Sequence, residues 1–284
     1  MHILIHIPNQ SPHYIYGVER LVNAIGSKAK VTVVCQKKKL PLNNRSFLRK
    51  IVAKLKAMVS VELRHYRLAR KKKQVWRFVK FRTIANLNQK YSRKYTYEKN
   101  KRLHEDFSEK TSNQTLGSLD ILMVENLNNE MESINSIGAD VLLMLGGPYI
   151  KKKILRRFSV ALNLHLGWLP DYKGSQTVER AIISSDYGHI GASIHFMTNE
   201  MDGGNIIWRT CCDLDVDLCT IGSPHSNLFL KAFDHLPCIL MKHLFGNEVN
   251  PDWISNTGAI GKTYYGFDFD YRFYKRMVLG HKNR

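Results

Sequence analysis

Asn163, His165 and Asp202 are the residues of this sequence best suited to do chemistry. Asn163 and His165 stand two apart at the end of an apolar run that starts at Ala161. In a strand, side chains at i and i+2 leave the same face. An amide donor and an imidazole would then point into one crevice, with Leu162, Leu164 and Leu166 turned the other way into a core. Leu169-Pro170 ends the strand, because proline has no N–H for a ladder. Gly174 is free to turn the chain into the next helix. Asp202 lies in Met201-Asp202-Gly203-Gly204, a loop between strands expected at Gly191–Phe196 and Asn205–Trp208. An amide N–H can be donated to an oxygen that gains negative charge, and an imidazole can give or take a proton. A carboxylate can orient that imidazole and relay a proton through water. Taken singly, each residue has an ordinary explanation: it satisfies nearby backbone or occupies a turn.

Taken together, three blocks resemble the folate-dependent formyltransferase family, most of all its bacterial sugar N-formyltransferases. The family pattern is Asn-x-His-x-[Ser/Gly]-x-Leu-Pro-x-[Tyr/Phe]-[Lys/Arg]-Gly, then a Gly-[Val/Ala]-[Thr/Ser]-[Ile/Val]-His strand, then Asp-x-Gly-x-Ile-Ile. Here these are Asn163–Gly174, Gly191–His195 and Asp202–Ile207. The similar region runs from Leu119 to Trp208, with a weaker likeness at the N-terminus.

The resemblance implies formyl transfer from 10-formyltetrahydrofolate, the co-substrate, to a primary amine, with no metal required. It implies catalytic roles for Asn163, His165 and Asp202 and a supporting role for His195. It places the backbone of Gly146, Gly147, Pro148, Tyr149 and Ile150 against the pterin and the formyl-bearing nitrogen, with Gly203 also on the cofactor side. Asn9 and Ser11, in the first turn, are candidates for a substrate phosphate, and Lys173 and Gln176 for the entering acceptor.

The elements that must hold these residues read as an α/β chain. His2–Ile7 suits a buried strand, Gly17–Ile25 a helix and Lys30–Cys35 a second strand, a start that favours a parallel sheet. The turn after the first strand lacks Gly-x-Gly-x-x-Gly, which argues against a dinucleotide site. Further strands are expected at Leu119–Val124 and Ala139–Leu145. Helices are expected after Asn126 (capped by Asn128 or Asn129), at Lys151–Phe158, at Ser175–Asp186 and at Pro224–Phe245, the last bent at Pro237. The aromatic stretch Gly258–Met277 reads as a hairpin or an extended tail. The expected fold is thus a Rossmann-like formyltransferase fold. Its sheet is twisted and mainly parallel, in a catalytic domain over 1–210, with a C-terminal helix and aromatic extension over 211–284.

The net charge of +19 has one location. Gln36–Leu116 holds 24 Lys and Arg against five Asp and Glu, so the rest of the chain balances to zero. This segment reads as a basic helical insertion over about 37–116, with Leu48, Ile51, Val52, Leu55, Met58 and Val59 at helical spacing and an aromatic cluster around Trp76. Tyr91–Lys99 reads as polar and mobile. Such a segment is a solvated insertion, or at residues 37–110 a contact for an anionic surface or nucleic acid. Five cysteines at spacings unlike a zinc framework read as reduced thiols. No apolar run reaches the length of a membrane span, and no signal peptide is recognisable, so the expected location is cytoplasmic.

The acceptor follows by elimination. Methionyl-tRNA formyltransferases carry a further β-domain after the catalytic one, and 82 residues follow Asp202 here. Purine-pathway members lack such a basic insertion, and the family's deformylases begin with a regulatory domain that these first residues do not match. A nucleotide-linked amino sugar destined for surface polysaccharide is the expected acceptor, and a homodimer is one assembly that the sequence leaves open. The alternatives are a large anionic acceptor of the methionyl-tRNA kind, and a non-catalytic basic scaffold.

Overall fold

The computed structural model describes residues 1–37, 85–111, 119–215, 220–246, 256, 261–265, 268–269 and 271–280, with helical positions at 63, 66, 67, 70, 75, 76 and 79. The amphipathic pattern over 48–59 and Cys219 lie outside the described residues.

The chain runs β1 (His2–Ile7), α1 (Pro12–Ile25), β2 (Lys30–Gln36), α2 (Ala85–Ser108), β3 (Asp120–Val124), α3 (Met131–Ile137) and β4 (Val141–Met144). It continues through α4 (Lys152–Leu155), β5 (Val160–His165), β6 (Tyr172–Gly174), α5 (Thr177–Ile183), β7 (Gly191–Phe196) and β8 (Ile206–Cys211). Last come α6 (Ser223–Phe245), β9 (Lys262–Tyr264) and α7 (Tyr271–Gly280). Seven strands form one sheet in the order β3-β2-β1-β4-β5-β7-β8. The β1–β5 strands pair in parallel and β7 and β8 antiparallel, while β6 and β9 form a separate parallel pair.

Alternation along β1 explains why both faces are covered. Ile3, Ile5 and Ile7 enter one apolar cluster with Val18 and Leu21 of α1, Phe107 of α2 and Phe233 of α6. Leu4 enters the other, with Leu127, Ile134 and Ile154. Parallel strands with covered faces read as such continuous apolar runs, and each fully buried side chain contributes about 1.5–3 kcal/mol. α1 lies hard against α6: a Cβ on Gly17 would come within 2.5 Å of the Phe233 ring.

Several local expectations change. Tyr91–Lys99 belongs to α2, where Tyr95 is 1% exposed and, like Leu103 and Phe107 further along the helix, enters the core. Lys90, Lys94 and Lys101 are exposed, while Lys99 turns inward beside Tyr95 to reach Glu179. The stretch after Tyr265 is helical at α7, not a hairpin: Phe273, Tyr274, Met277 and Val278 fall at helical spacing and all are buried. Neither Asn128 nor Asn129 caps α3; instead Asn126 Oδ1 accepts from the Asn128 N–H and caps the short 3-10 turn before it. The helices expected at 151–158 and 175–186 shorten to α4 and α5. α6 continues through Pro237 to Phe245.

Candidate active site

β5 ends at His165, paired in register with β7, so that Asn163 lies opposite His195 and His165 opposite Ser193. β7 leads into the loop that carries Asp202. The three residues singled out from the sequence therefore meet at the carboxyl end of β5, and His195 joins them.

Two backbone carbonyls set the orientation of the rings. His165 Nε2 lies 3.0 Å from the Tyr172 carbonyl oxygen, which can only accept, so Nε2 carries the hydrogen. Nδ1 then faces Asp202 Oδ2 at 3.6 Å, and a proton on Nδ1 makes that contact an ion pair. His195 Nδ1 donates to the Phe196 carbonyl at 2.8 Å, which leaves Nε2 to accept from Asn163 Nδ2 at 3.1 Å. The same Nε2 is 3.6 Å from Asp202 Oδ1. His195 thus takes the Asn163 amide and lies beside the carboxylate. Asn163 keeps its second amide hydrogen for the cavity.

Asp202 is held from several sides. Its φ is +51°, a left-handed conformation uncommon outside glycine and stored preferentially at functional sites. Oδ2 accepts from the Gly174 N–H at 2.8 Å. Asn256, 2% exposed, donates Nδ2 to the carbonyls of Asp202 and Gly204 at 2.8 and 2.9 Å. Burial pushes the Asp202 carboxyl upward, but His165, His195 and the Gly174 N–H outweigh it and hold the group well below the usual carboxylate range. Because the folded value is depressed, the carboxylate adds stability that is complete above the ordinary range. That stability is lost as pH falls through the range towards the folded value. Thermal midpoints measured from pH 7 to pH 3 are expected to fall more steeply for the wild type than for Asp202→Asn; parallel curves would refute this.

The loop before Asp171 is tied to β7 and β8. Ser193 Oγ donates to the Gly167 carbonyl at 2.8 Å and accepts from the Leu169 N–H at 3.1 Å, while Arg209 donates to the Leu169 carbonyl at 2.9 Å.

A cavity of about 950 Å³ opens on this group. Asn163, His165, His195 and Asp202 line it, as do Gly146–Ile150 and Gln176. Tyr149 crosses to the β7–β8 loop, its hydroxyl donating to the Asn199 carbonyl at 3.0 Å. Asn128 clamps the same stretch, donating to the Tyr149 carbonyl at 2.8 Å and accepting from the Lys151 N–H at 2.7 Å. Tyr14 also lines the cavity, its phenol pushed up to about 12 by burial. The other candidates lie off the cavity wall. Asn9 Oδ1 accepts from the Ser11 N–H and hydroxyl in a local turn. Lys173 is buried in β6, and Gly203 is buried beneath Glu200. Lys99, Glu179, His225 and Tyr264 line the cavity without any short motif that marks them in the sequence.

A family model described as formyl transferase matches residues 68–220. The chain belongs to the formyl transferase family. The match starts inside the basic segment, so α2 is part of the formyl transferase region. A methionyl-tRNA formyltransferase from Streptococcus gordonii is 29% identical over 124 residues, which is 43% of this chain and 39% of that protein. The aligned stretch thus spans well under half of that curated relative. A sugar N-formyltransferase from a Shewanella species superposes with a TM-score of 0.55 at 13% identity, covering 95% of this chain and 78% of that one. A sugar 3N-formyl transferase, solved in the presence of dTDP and 5-N-formyl-THF, gives a TM-score of 0.51 at 14% identity, covering 95% and 71%. The twisted, mainly parallel sheet with flanking helices is the formyltransferase fold.

Proposed function

We propose that this protein is an enzyme that moves the formyl group of 10-formyltetrahydrofolate onto a primary amine. The observation that carries this reading is the meeting of Asn163, His165 and Asp202 on the wall of one large cavity. The co-substrate supplies an activated formyl carbon. A neutral amine attacks it, a C–N bond forms, and the bond to the folate nitrogen breaks with return of a proton to that nitrogen. Asn163 donates its free amide hydrogen to the carbonyl oxygen as charge develops on it. His165 gives or takes the proton, and Asp202 holds the ring. Gly146–Ile150 would cradle the folate. Gln176 is the acceptor-side candidate that lies on the cavity wall.

The acceptor we favour is the amino group of a nucleotide-linked amino sugar. Its support is the likeness in fold to two sugar formyltransferases, one of them solved with dTDP. The second reading is an aminoacylated tRNA, favoured by the local identity to methionyl-tRNA formyltransferases and by the positive charge of 36–116. Incubating the protein with 10-formyltetrahydrofolate and each acceptor class, and reading product mass, separates them. A formylated nucleotide sugar is expected; formylation of methionyl-tRNA alone would move the assignment to the second reading. On that second reading, binding would also weaken steeply with salt.

Asn256 gives a further expectation. Asn256→Ala frees two carbonyls of the loop that carries Asp202, and loss of such bonds costs about 1–3 kcal/mol. Turnover is expected to fall about tenfold with the fold retained. An unchanged kcat would mean that the loop holds itself.

A further inference from the structure

The cavity wall carries a second polar group that formyl transfer does not use. Glu179, on α5, has a side chain only 1% exposed. Its Oε1 accepts from the Tyr95 hydroxyl at 2.8 Å and from Lys99 Nζ at 3.2 Å, and His225 Nε2 lies at 3.2 Å. Among the described residues every bond to Glu179 falls on Oε1, and the residue lines the cavity. His225 Nε2 faces Glu179, and burial lowers the ring from its ordinary value although Glu179 opposes this; in the neutral ring that gives its Nε2 hydrogen to Glu179, Nδ1 carries a lone pair. Among the described residues that Nδ1 is buried without a partner, and so is Gln176 Oε1. Gln176 and His225 both line the cavity. Gln176 is also held at φ +54°, strained for a residue other than glycine, with Nε2 donating to the Tyr274 hydroxyl at 2.5 Å.

We infer that Gln176, Glu179 and His225, with Lys99 beside them, form a subsite for a hydroxylated ring of the acceptor. On this wall stand an amide oxygen and an imidazole nitrogen without a partner among the described residues, and a carboxylate whose bonds among them all fall on one oxygen. Leaving such atoms unmet is costly, and a ligand that brings O–H donors removes the cost. Lys99, with a side chain 23% exposed and three N–H groups, can donate to a ring oxygen. A phosphate brings acceptors only and would face an ionised carboxylate. An ammonium would meet the Lys99 charge at close range. A polyol suits the set, since each hydroxyl both donates and accepts. The arrangement also gives α2, from the basic segment, a local role, because this helix delivers Tyr95 and Lys99 to Glu179. The subsite rests on the formyl-transfer reading, which defines the acceptor.

The test offers UDP- and dTDP-linked 3-amino- and 4-amino-hexoses, their counterparts lacking the neighbouring ring hydroxyls, and methionyl-tRNA to the wild type, Glu179→Gln and Gln176→Met. Binding of 5-formyltetrahydrofolate is measured alongside. The wild type is expected to prefer a hydroxylated sugar over its deoxy counterpart by about tenfold or more in kcat/KM. Glu179→Gln should raise the KM of that sugar about tenfold or more while the KM of the folate moves less than about twofold, and it should narrow the preference over the deoxy sugar. Gln176→Met, at a partly exposed position, gives the same readout if Glu179→Gln does not fold. Equal use of hydroxylated and deoxy sugars, an unchanged acceptor KM in a folded variant, or turnover of methionyl-tRNA alone would each overturn the subsite. So would folate binding without turnover of any sugar, which leaves formyl transfer standing. Loss of folate binding in the wild type would instead remove the parent reading and the subsite with it.

Discussion

Asp202→Asn is expected to lower formyl transfer by roughly 10²- to 10⁴-fold while leaving the protein folded, on the reading proposed above. The carboxylate faces both imidazoles at 3.6 Å and takes the Gly174 N–H at 2.8 Å. An amide of the same size can keep one acceptor for Gly174. It cannot present negative charge to His165, and its NH2 group opposes any proton on Nδ1. The His165–Asp202 contact thus loses its charge partner at the step where the ring must hold a proton. Because the defect is in proton handling, kcat should fall far more than either KM rises. Asn163→Ala and His165→Ala should fall in the same range. The double variant with Asp202→Asn should be little worse than the single, since groups that act as a unit are not additive. A fully active His165→Ala variant, measured under saturating folate and acceptor, would sink the mechanism.

Gly174→Ala is expected to cost about 2–5 kcal/mol of stability, a drop of about 5–15 °C in Tm, and to abolish activity in what remains folded. Two causes act together. Gly174 sits at φ +96°, where a side chain is strained. An added Cβ would also lie 2.1 Å from the Tyr264 carbonyl oxygen, which belongs to backbone and cannot swing away. Gly174 pairs with Tyr264 between β6 and β9, and its N–H holds Asp202. Forcing this pair apart moves the carboxylate and the strand pairing at once. The measurement is thermal unfolding alongside turnover. A variant with wild-type Tm would show that β9 yields freely and that the pairing does not hold the site.

Much of the molecule was legible along the chain because its signals are local. A β-α-β start shows in the apolar runs His2–Ile7 and Lys30–Cys35 with an amphipathic stretch between them, since strand and helix periods are written within a few residues. Asn163 and His165 could be placed on one face by a spacing of two, and Asp202 in a loop by its glycines. Where two periods compete over aromatic residues, the local signal failed. Tyr264 fits a strand and Phe273, Tyr274, Met277 and Val278 fit a helix, and only docking of α7 against α2 and α5 selects the helix.

Tertiary structure alone decided which distant polar atoms meet. His195 reaches Asn163 because β5 and β7 pair antiparallel in one register; a slip of one residue would turn it to the opposite face. Asn256 supports Asp202 from 54 residues away. Tyr95, Lys99, Glu179 and His225 come from three helices and share no spacing that a motif could encode. Their convergence follows from helix packing over the sheet. A sequence read in windows therefore places the catalytic strand and its loop, while the opposing wall of the cavity exists only once the helices have closed over it.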